Sequence, residues 1–160
     1  SASLVGSEMC IRDRDLAETA TIDSTSIKKM SALAKEFHVH IVYGMAEKEE
    51  DILYNSQFFL DDTGVLLGTY RKVHLFDSEK NYFTPGDQFK VFNTKIGRIG
   101  LFICYDAFFP EAARSLAIQG VDLLVNSTNW EKPYDYDIAK QMKHDYYTML
   151  TERRPDVYIA

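Results

Sequence analysis

The pattern of apolar and polar positions predicts strands and helices in alternation. The apolar run 99–103 is typical of a short strand covered on both faces. A helical pattern follows from Pro110, which fits a first helical turn, to Gly120, which fits the position just after a helix. A second strand is predicted over 121–125. This region therefore has the pattern of a βαβ unit with Cys104 at its first corner.

Upstream of this unit, helical and strand-like patterns also alternate. A helix capped by Asp23 or Ser24 is predicted because apolar residues recur on one face over the next three turns. The following apolar strand is predicted to end at Gly44, and the charged run 47–51 is interpreted as a solvated loop. The clearest hairpin joins strands over 52–60 and 65–70. Helices and strands in this succession indicate an α/β fold.

Three further stretches complete the pattern. A strand over 89–92 is expected to pair with the strand that precedes Cys104. A helix is predicted within 138–149, and a strand begins at 157.

Composition and charge narrow the classes of function. The 160 residues carry a formal net charge of −6 and contain no block of Lys or Arg, which argues against a nucleic-acid or anionic-membrane surface. No apolar run is long enough to span a membrane. Two cysteines in unrelated contexts indicate neither a disulfide framework nor a zinc site, so a cytoplasmic location is expected.

Cys104 has two interpretations at its predicted corner. A side chain at the end of a strand can act as a nucleophile, because nearby backbone N–H groups can stabilise an oxyanion and a helix N-terminus favours the thiolate. Alternatively, Cys104 is a small buried hydrophobe, which is the ordinary environment of cysteine. Its position alone leaves both interpretations open.

Five motifs follow one another along the chain: Tyr70-Arg71-Lys72-Val73-His74-Leu75-Phe76, Glu79 followed by Thr84-Pro85-Gly86-Asp87, Ile103-Cys104-Tyr105-Asp106, Phe109-Pro110-Glu111 and Asn129-Trp130. In this order they resemble the nitrilase, or carbon-nitrogen hydrolase, superfamily and its amidase-type branch. The run 79–87 resembles the N-carbamoylputrescine amidase branch in particular.

The resemblance implies a partial αββα sandwich that hydrolyses non-peptide C–N bonds through a Glu–Lys–Cys constellation. Cys104 then matches the nucleophile and Lys72 the catalytic lysine, while Glu79 matches a supporting glutamate. The residues expected to bind substrate are Tyr105, Asn129 and Trp130.

In this chemistry, the thiolate of Cys104 attacks an amide carbonyl or nitrile carbon and forms a thioester or thioimidate. Lys72 stabilises the developing negative charge beside the backbone N–H of Tyr105, and a glutamate moves protons and activates water. The resemblance implies a small linear amide or N-carbamoyl amine as substrate, with no metal or organic cofactor. Members of the family usually assemble, so we expect at least a homodimer of the full-length protein.

The first catalytic glutamate of the family has no match in this chain. Glu18 lies where the family approaches the helix at Ser24, and Glu8 lies within residues 1–14, which resemble a translated sequencing adapter. We therefore predict a non-native segment over 1–14, a partial domain over 15–160, and a metagenomic fragment that lacks both ends of the family's domain. Loss of a general acid–base costs about 10²–10⁴ in rate. The parent is expected to be active and this chain alone inactive or poorly soluble.

Three alternatives to an amidase stay open. The first is a non-catalytic binding or assembly protein on the same fold, which would lack the first glutamate. The second is a nitrile hydrolase. The third is a Cys–His hydrolase that uses His74, which strand alternation would place on the same face as Lys72.

Overall fold

The computed structural model of the chain describes residues 15–128 and the backbone of residues 158 and 159. The described residues form two compact units, which are divided between Asp87 and Gln88. None of the helices in the described part is long and apolar enough to cross a membrane. In the first unit the elements are α1 Thr25–Phe37, β1 Ile41–Glu49, β2 Ile52–Leu60, β3 Leu66–Arg71 and a 3₁₀ helix Asp77–Asn81. In the second unit they are β4 Val91–Thr94, β5 Gly97–Ile103, a 3₁₀ helix Cys104–Phe108, α2 Pro110–Ile118, β6 Leu123–Ser127 and β7 Tyr158–Ile159.

The first unit is an antiparallel sheet with the strand order β1–β2–β3 and α1 against one face. Ser24, one of the two residues predicted as the cap, caps α1, since its Oγ accepts from the Ile27 N–H at 3.4 Å. Fully buried Ile27 and Ala34 of the helix pack against Phe58 and Leu60 of β2. The predicted hairpin of β2 and β3 is confirmed.

The prediction that a strand ends at Gly44 is wrong. β1 pairs with β2 along its whole length, from Ile41 opposite Leu60 to Glu49 opposite Ile52. The solvated-loop interpretation of 47–51 is also wrong at its start, because the first three residues of that run lie in β1 and Glu47 is buried. β1 continues through residues of low β-strand propensity because they pair with the apolar strand β2.

Glu18 lies beside β1 and has a structural role. Its N–H donates to the Ala46 carbonyl at 3.2 Å, and its carbonyl accepts from the Lys48 N–H at 2.8 Å. The carboxylate accepts from the N–H and the hydroxyl of Ser26, both at 2.8 Å. Burial acts to raise the pKa of Glu18, but these hydrogen bonds outweigh it and the pKa is lowered. A general base needs a pKa near the working pH, so this carboxylate is poorly suited to that role. Glu8 lies outside the described residues.

The second unit contains the predicted βαβ unit. β4 pairs antiparallel with β5, as predicted, and β5, β6 and β7 run parallel. Pro110 begins α2 as expected, and Gly120 follows it at φ +80°. Gly100 allows close packing of the helix on the sheet, because a Cβ there would lie 3.2 Å from Leu116 Cδ2 of α2 and 2.9 Å from Leu124 Cδ2 of β6. The strand predicted to begin at 157 is described at Tyr158–Ile159, whereas the helix predicted within 138–149 lies outside the described residues.

Candidate active site

Lys72 lies one residue beyond β3, and its side chain is only 2% exposed. Its N–H donates to the Asn55 carbonyl at 2.8 Å, which extends the ladder between β2 and β3. Its own carbonyl accepts from the Gly86 N–H at 2.8 Å. The backbone at Lys72 is therefore held from both sides.

Glu79 contacts the Lys72 ammonium directly. Lys72 Nζ donates to Glu79 Oε2 at 2.7 Å, and the same oxygen accepts from the Phe76 N–H at 2.7 Å. Asn55 Nδ2 donates to the other carboxylate oxygen at 3.0 Å. With three donors the Glu79 carboxylate has one defined orientation, and it fixes the position of the ammonium. Sequence reasoning assigned no role to Asn55, although a polar residue inside an apolar strand was a usable signal.

We predict that Gly86→Ala destabilises the backbone around Lys72. An added Cβ would lie 2.3 Å from the Arg71 carbonyl oxygen, and backbone atoms there cannot move aside without breaking the ladder. We expect a loss of about 1–3 kcal/mol in the free energy of unfolding, measured by urea denaturation. Gly44→Ala is the matched control, since its Cβ would meet nothing closer than the Ser56 carbonyl at 3.7 Å. Equal losses in both variants would contradict the prediction.

In the second unit, Cys104 occupies a sharp corner directly after β5. Its φ is +42°, in the left-handed region that costs a non-glycine residue about 1–3 kcal/mol. The following residues form a short 3₁₀ helix before α2, which the sequence did not predict. The thiol of Cys104 is free, and the residue is partly exposed. A strained, accessible corner after a strand is the arrangement of a nucleophile elbow.

Asp106 stabilises this corner from inside the protein. Its side chain is fully buried, and its Oδ2 accepts from the Ile103 N–H at 2.9 Å. The hydrogen bond spans Cys104 and holds the residues before and after it together. Sequence reasoning quoted Asp106 as part of a motif but gave it no role. A charged residue directly after an apolar strand was the available signal.

The remaining predicted site residues have different outcomes. The Tyr105 ring lies in an aromatic cluster, with centroids 5.2 Å from Phe108 and 5.1 Å from Phe109. Asn129 and Trp130 lie outside the described residues.

His74 lies beyond the end of β3, so strand alternation does not place it with Lys72, and that part of the Cys–His hypothesis is wrong. Within the described ranges, no group of three or more His, Cys, Asp or Glu side chains could hold a metal ion.

The comparisons with known proteins assign the family. The family model described as "Carbon-nitrogen hydrolase" matches residues 2–149. The chain belongs to the carbon-nitrogen hydrolase family. A protein named "Probable nitrilase" from Schizosaccharomyces pombe is 48% identical over 126 residues, which cover 76% of this chain and 46% of that protein. An N-carbamoylputrescine amidase from Solanum lycopersicum is 46% identical over 108 residues, covering 64% of this chain and 36% of the amidase.

The solved structures give the same result for the fold. Nit3 from Saccharomyces cerevisiae, a member of branch 10 of the nitrilase superfamily, is 28% identical with a TM-score of 0.76. The match covers 86% of this chain and 54% of Nit3. The resemblance read from the motifs is therefore confirmed, and the chain has the mixed α/β fold of the nitrilase type. It spans about half the length of the relatives it matches. The domain boundary at residue 15 stays a prediction.

Proposed function

We propose that this chain supplies the nucleophile and the oxyanion-stabilising lysine of a carbon-nitrogen hydrolase that acts on a linear amide or an N-carbamoyl amine. The observation that carries the proposal is the Lys72 ammonium, 2% exposed and 2.7 Å from Glu79 Oε2 in a chain of this family. An ordinary surface lysine keeps its ammonium group in water. Burying it beside one fixed carboxylate is costly, and such a lysine is suited to stabilising charge in a desolvated site.

The proposed reaction has two stages. The sulfur of Cys104 attacks the carbonyl carbon, the C–N bond breaks, and the nitrogen leaves as ammonia or an amine with a proton from a general acid. Water then attacks the thioester carbon, so that the C–S bond breaks and a carboxylic or carbamic acid is released. Lys72 and the N–H of Tyr105 stabilise the oxyanion in both stages, and Asn129 and Trp130 bind the substrate. The glutamate that moves the protons is proposed to come from sequence outside this chain.

Amide-type substrates are favoured by the names of several relatives. Besides the N-carbamoylputrescine amidases, an omega-amidase from Homo sapiens is 39% identical over 114 residues. A nitrile hydrolase is the second candidate, since a relative from Pyrococcus abyssi that is 46% identical over 103 residues is named "Nitrilase". With a nitrile, the first adduct would be a thioimidate, which adds one water molecule and then loses ammonia to give the thioester. We further propose a cytoplasmic homo-oligomer for the full-length protein.

The test uses the full-length protein encoded by the open reading frame that contains this chain. Ammonia release is measured with linear amides, N-carbamoyl amines and aliphatic nitriles, and intact-mass spectrometry follows an acyl adduct on Cys104. We expect turnover of at least one amide or N-carbamoyl amine together with that adduct. Turnover of nitriles alone would favour the second candidate. No turnover and no adduct would refute the enzyme and favour a binding or assembly protein.

A further inference from the structure

A second charged cluster in the first unit surrounds the side chain of Arg71, which precedes Lys72 in the chain. Arg71 Nε donates to Glu47 Oε2 at 3.0 Å, and Nη2 donates to Oε1 at 2.5 Å. Ser56 Oγ donates to Glu47 Oε2 at 2.6 Å. The guanidinium carbon lies 3.7 Å from the centre of the Tyr54 ring. The two hydrogen bonds from the guanidinium to Glu47 are called the Arg71 fork below. Together with the Tyr54 ring that covers the guanidinium, they give the Arg71 side chain one orientation.

The sheet register brings these side chains together on one face. Glu47 of β1 lies opposite Tyr54 of β2, and Ser56 lies opposite Arg71 of β3. The Glu47 side chain is only 2% exposed, so its charge needs the guanidinium as a partner. The hydrogen bonds to Glu47 raise the pKa of Arg71, although burial opposes them. Arg71 therefore keeps its positive charge at every working pH.

We propose that Arg71 and Glu47 are positioning residues for Lys72. Neighbouring residues of an extended segment point to opposite faces, so the Arg71 fork and the Lys72–Glu79 pair hold the end of β3 from both sides. A slip or rotation of this backbone that displaced Lys72 Nζ would also have to break the fork to Glu47. The inference rests on the proposed function, because it concerns the lysine that carries it.

Arg71→Lys in the full-length protein tests the role of the fork. Lysine keeps the positive charge beside Glu47 but loses the planar two-point contact. We expect kcat to fall about 10- to 100-fold with KM within about twofold, because a displacement of the order of 1 Å at a catalytic group has that effect. We expect Glu47→Gln also to lower kcat while KM changes little. The double variant should be no slower than the slower single variant, since both changes remove one interaction.

Glu49→Gln is the matched control for these variants. Glu49 contacts the same guanidinium at 3.1 Å, but its side chain is 57% exposed, so we expect kcat to be unchanged. Thermal unfolding of each variant reports the purely structural effect. If Arg71→Lys and Glu47→Gln lower stability while kcat stays within twofold of the parent, the pair is structural only and the proposal is overturned.

A second measurement needs no substrate, so the proposal can be decided separately from the proposed function. Brief acetylation of the full-length protein, read by peptide mass spectrometry, compares Lys72 with Lys28, whose side chain is 59% exposed. We expect Arg71→Lys to raise the relative labelling of Lys72 about tenfold, by loosening the backbone that holds it. Unchanged labelling would overturn the positioning role. If the parent hydrolyses no substrate, the proposed function fails and the labelling alone decides the inference.

Discussion

Replacement of Cys104 by serine in the full-length protein is expected to lower kcat by at least about 10⁴-fold. A serine hydroxyl keeps nearly the shape of the thiol but is almost wholly protonated at neutral pH. The oxyanion stabilisation proposed for Lys72, and proton transfer by a glutamate, cannot make the hydroxyl a comparable nucleophile. The measurement is steady-state ammonia release, together with the loss of the acyl adduct in intact-mass spectra.

The structure makes this variant a clean test of chemistry. Cys104 is partly exposed at a corner that is held by the Asp106 carboxylate, so the loss of one sulfur leaves the corner's hydrogen bonds in place. We therefore expect the melting temperature of Cys104→Ser to stay close to that of the parent. Activity within tenfold of the parent would contradict the nucleophile assignment. A large fall in melting temperature would assign Cys104 a packing role instead.

The second unit could be predicted well from sequence because its signals are local. The apolar run of β5 indicates a buried strand. Pro110 indicates a first helical turn, and Gly120 indicates the end of that helix. Features of this unit that are not expressed in such local signals were missed. Neither the left-handed φ of Cys104 nor the hydrogen bond from the Ile103 N–H to the Asp106 carboxylate is recorded in a periodic pattern.

The first unit shows where sequence reasoning fails for a physical reason. Glu47 belongs to a run of charges that is usually solvated, yet its side chain is 2% exposed in β1. Its burial is stabilised by Arg71, two strands away, which supplies two hydrogen bonds, and by the hydroxyl of Ser56, which supplies a third. The role of Asn55 likewise depends on Glu79, which lies 24 residues further along the chain. Long-range partners of this kind follow from sheet register, which the sequence pattern constrains only coarsely.

Lys72→Met in the full-length protein is expected to lower kcat/KM by at least about 10³-fold. Methionine fills much of the volume of the lysine stem and fits a site that is nearly closed to water, but it provides no donor for the developing oxyanion. Loss of one such donor costs about 10²–10³ in rate, and loss of a full positive charge in a desolvated site costs more. The substitution also leaves the Glu79 carboxylate without its ammonium partner. Steady-state kinetics and urea denaturation, measured together, separate the loss of chemistry from the loss of folding.

Lys80→Met is the matched control, because Lys80 lies in the 3₁₀ helix of Glu79 but is exposed to solvent. We expect its kinetics to equal those of the parent within about twofold, as for most exposed substitutions. Glu79 keeps donors from Asn55 and Phe76 in Lys72→Met, so the loop that carries it should still fold. The decisive result is which of the two variants, Lys72→Met or Lys80→Met, loses more activity. If Lys80→Met lost as much activity as Lys72→Met, the loss would reflect the charge of the loop, and the assignment of Lys72 would be wrong.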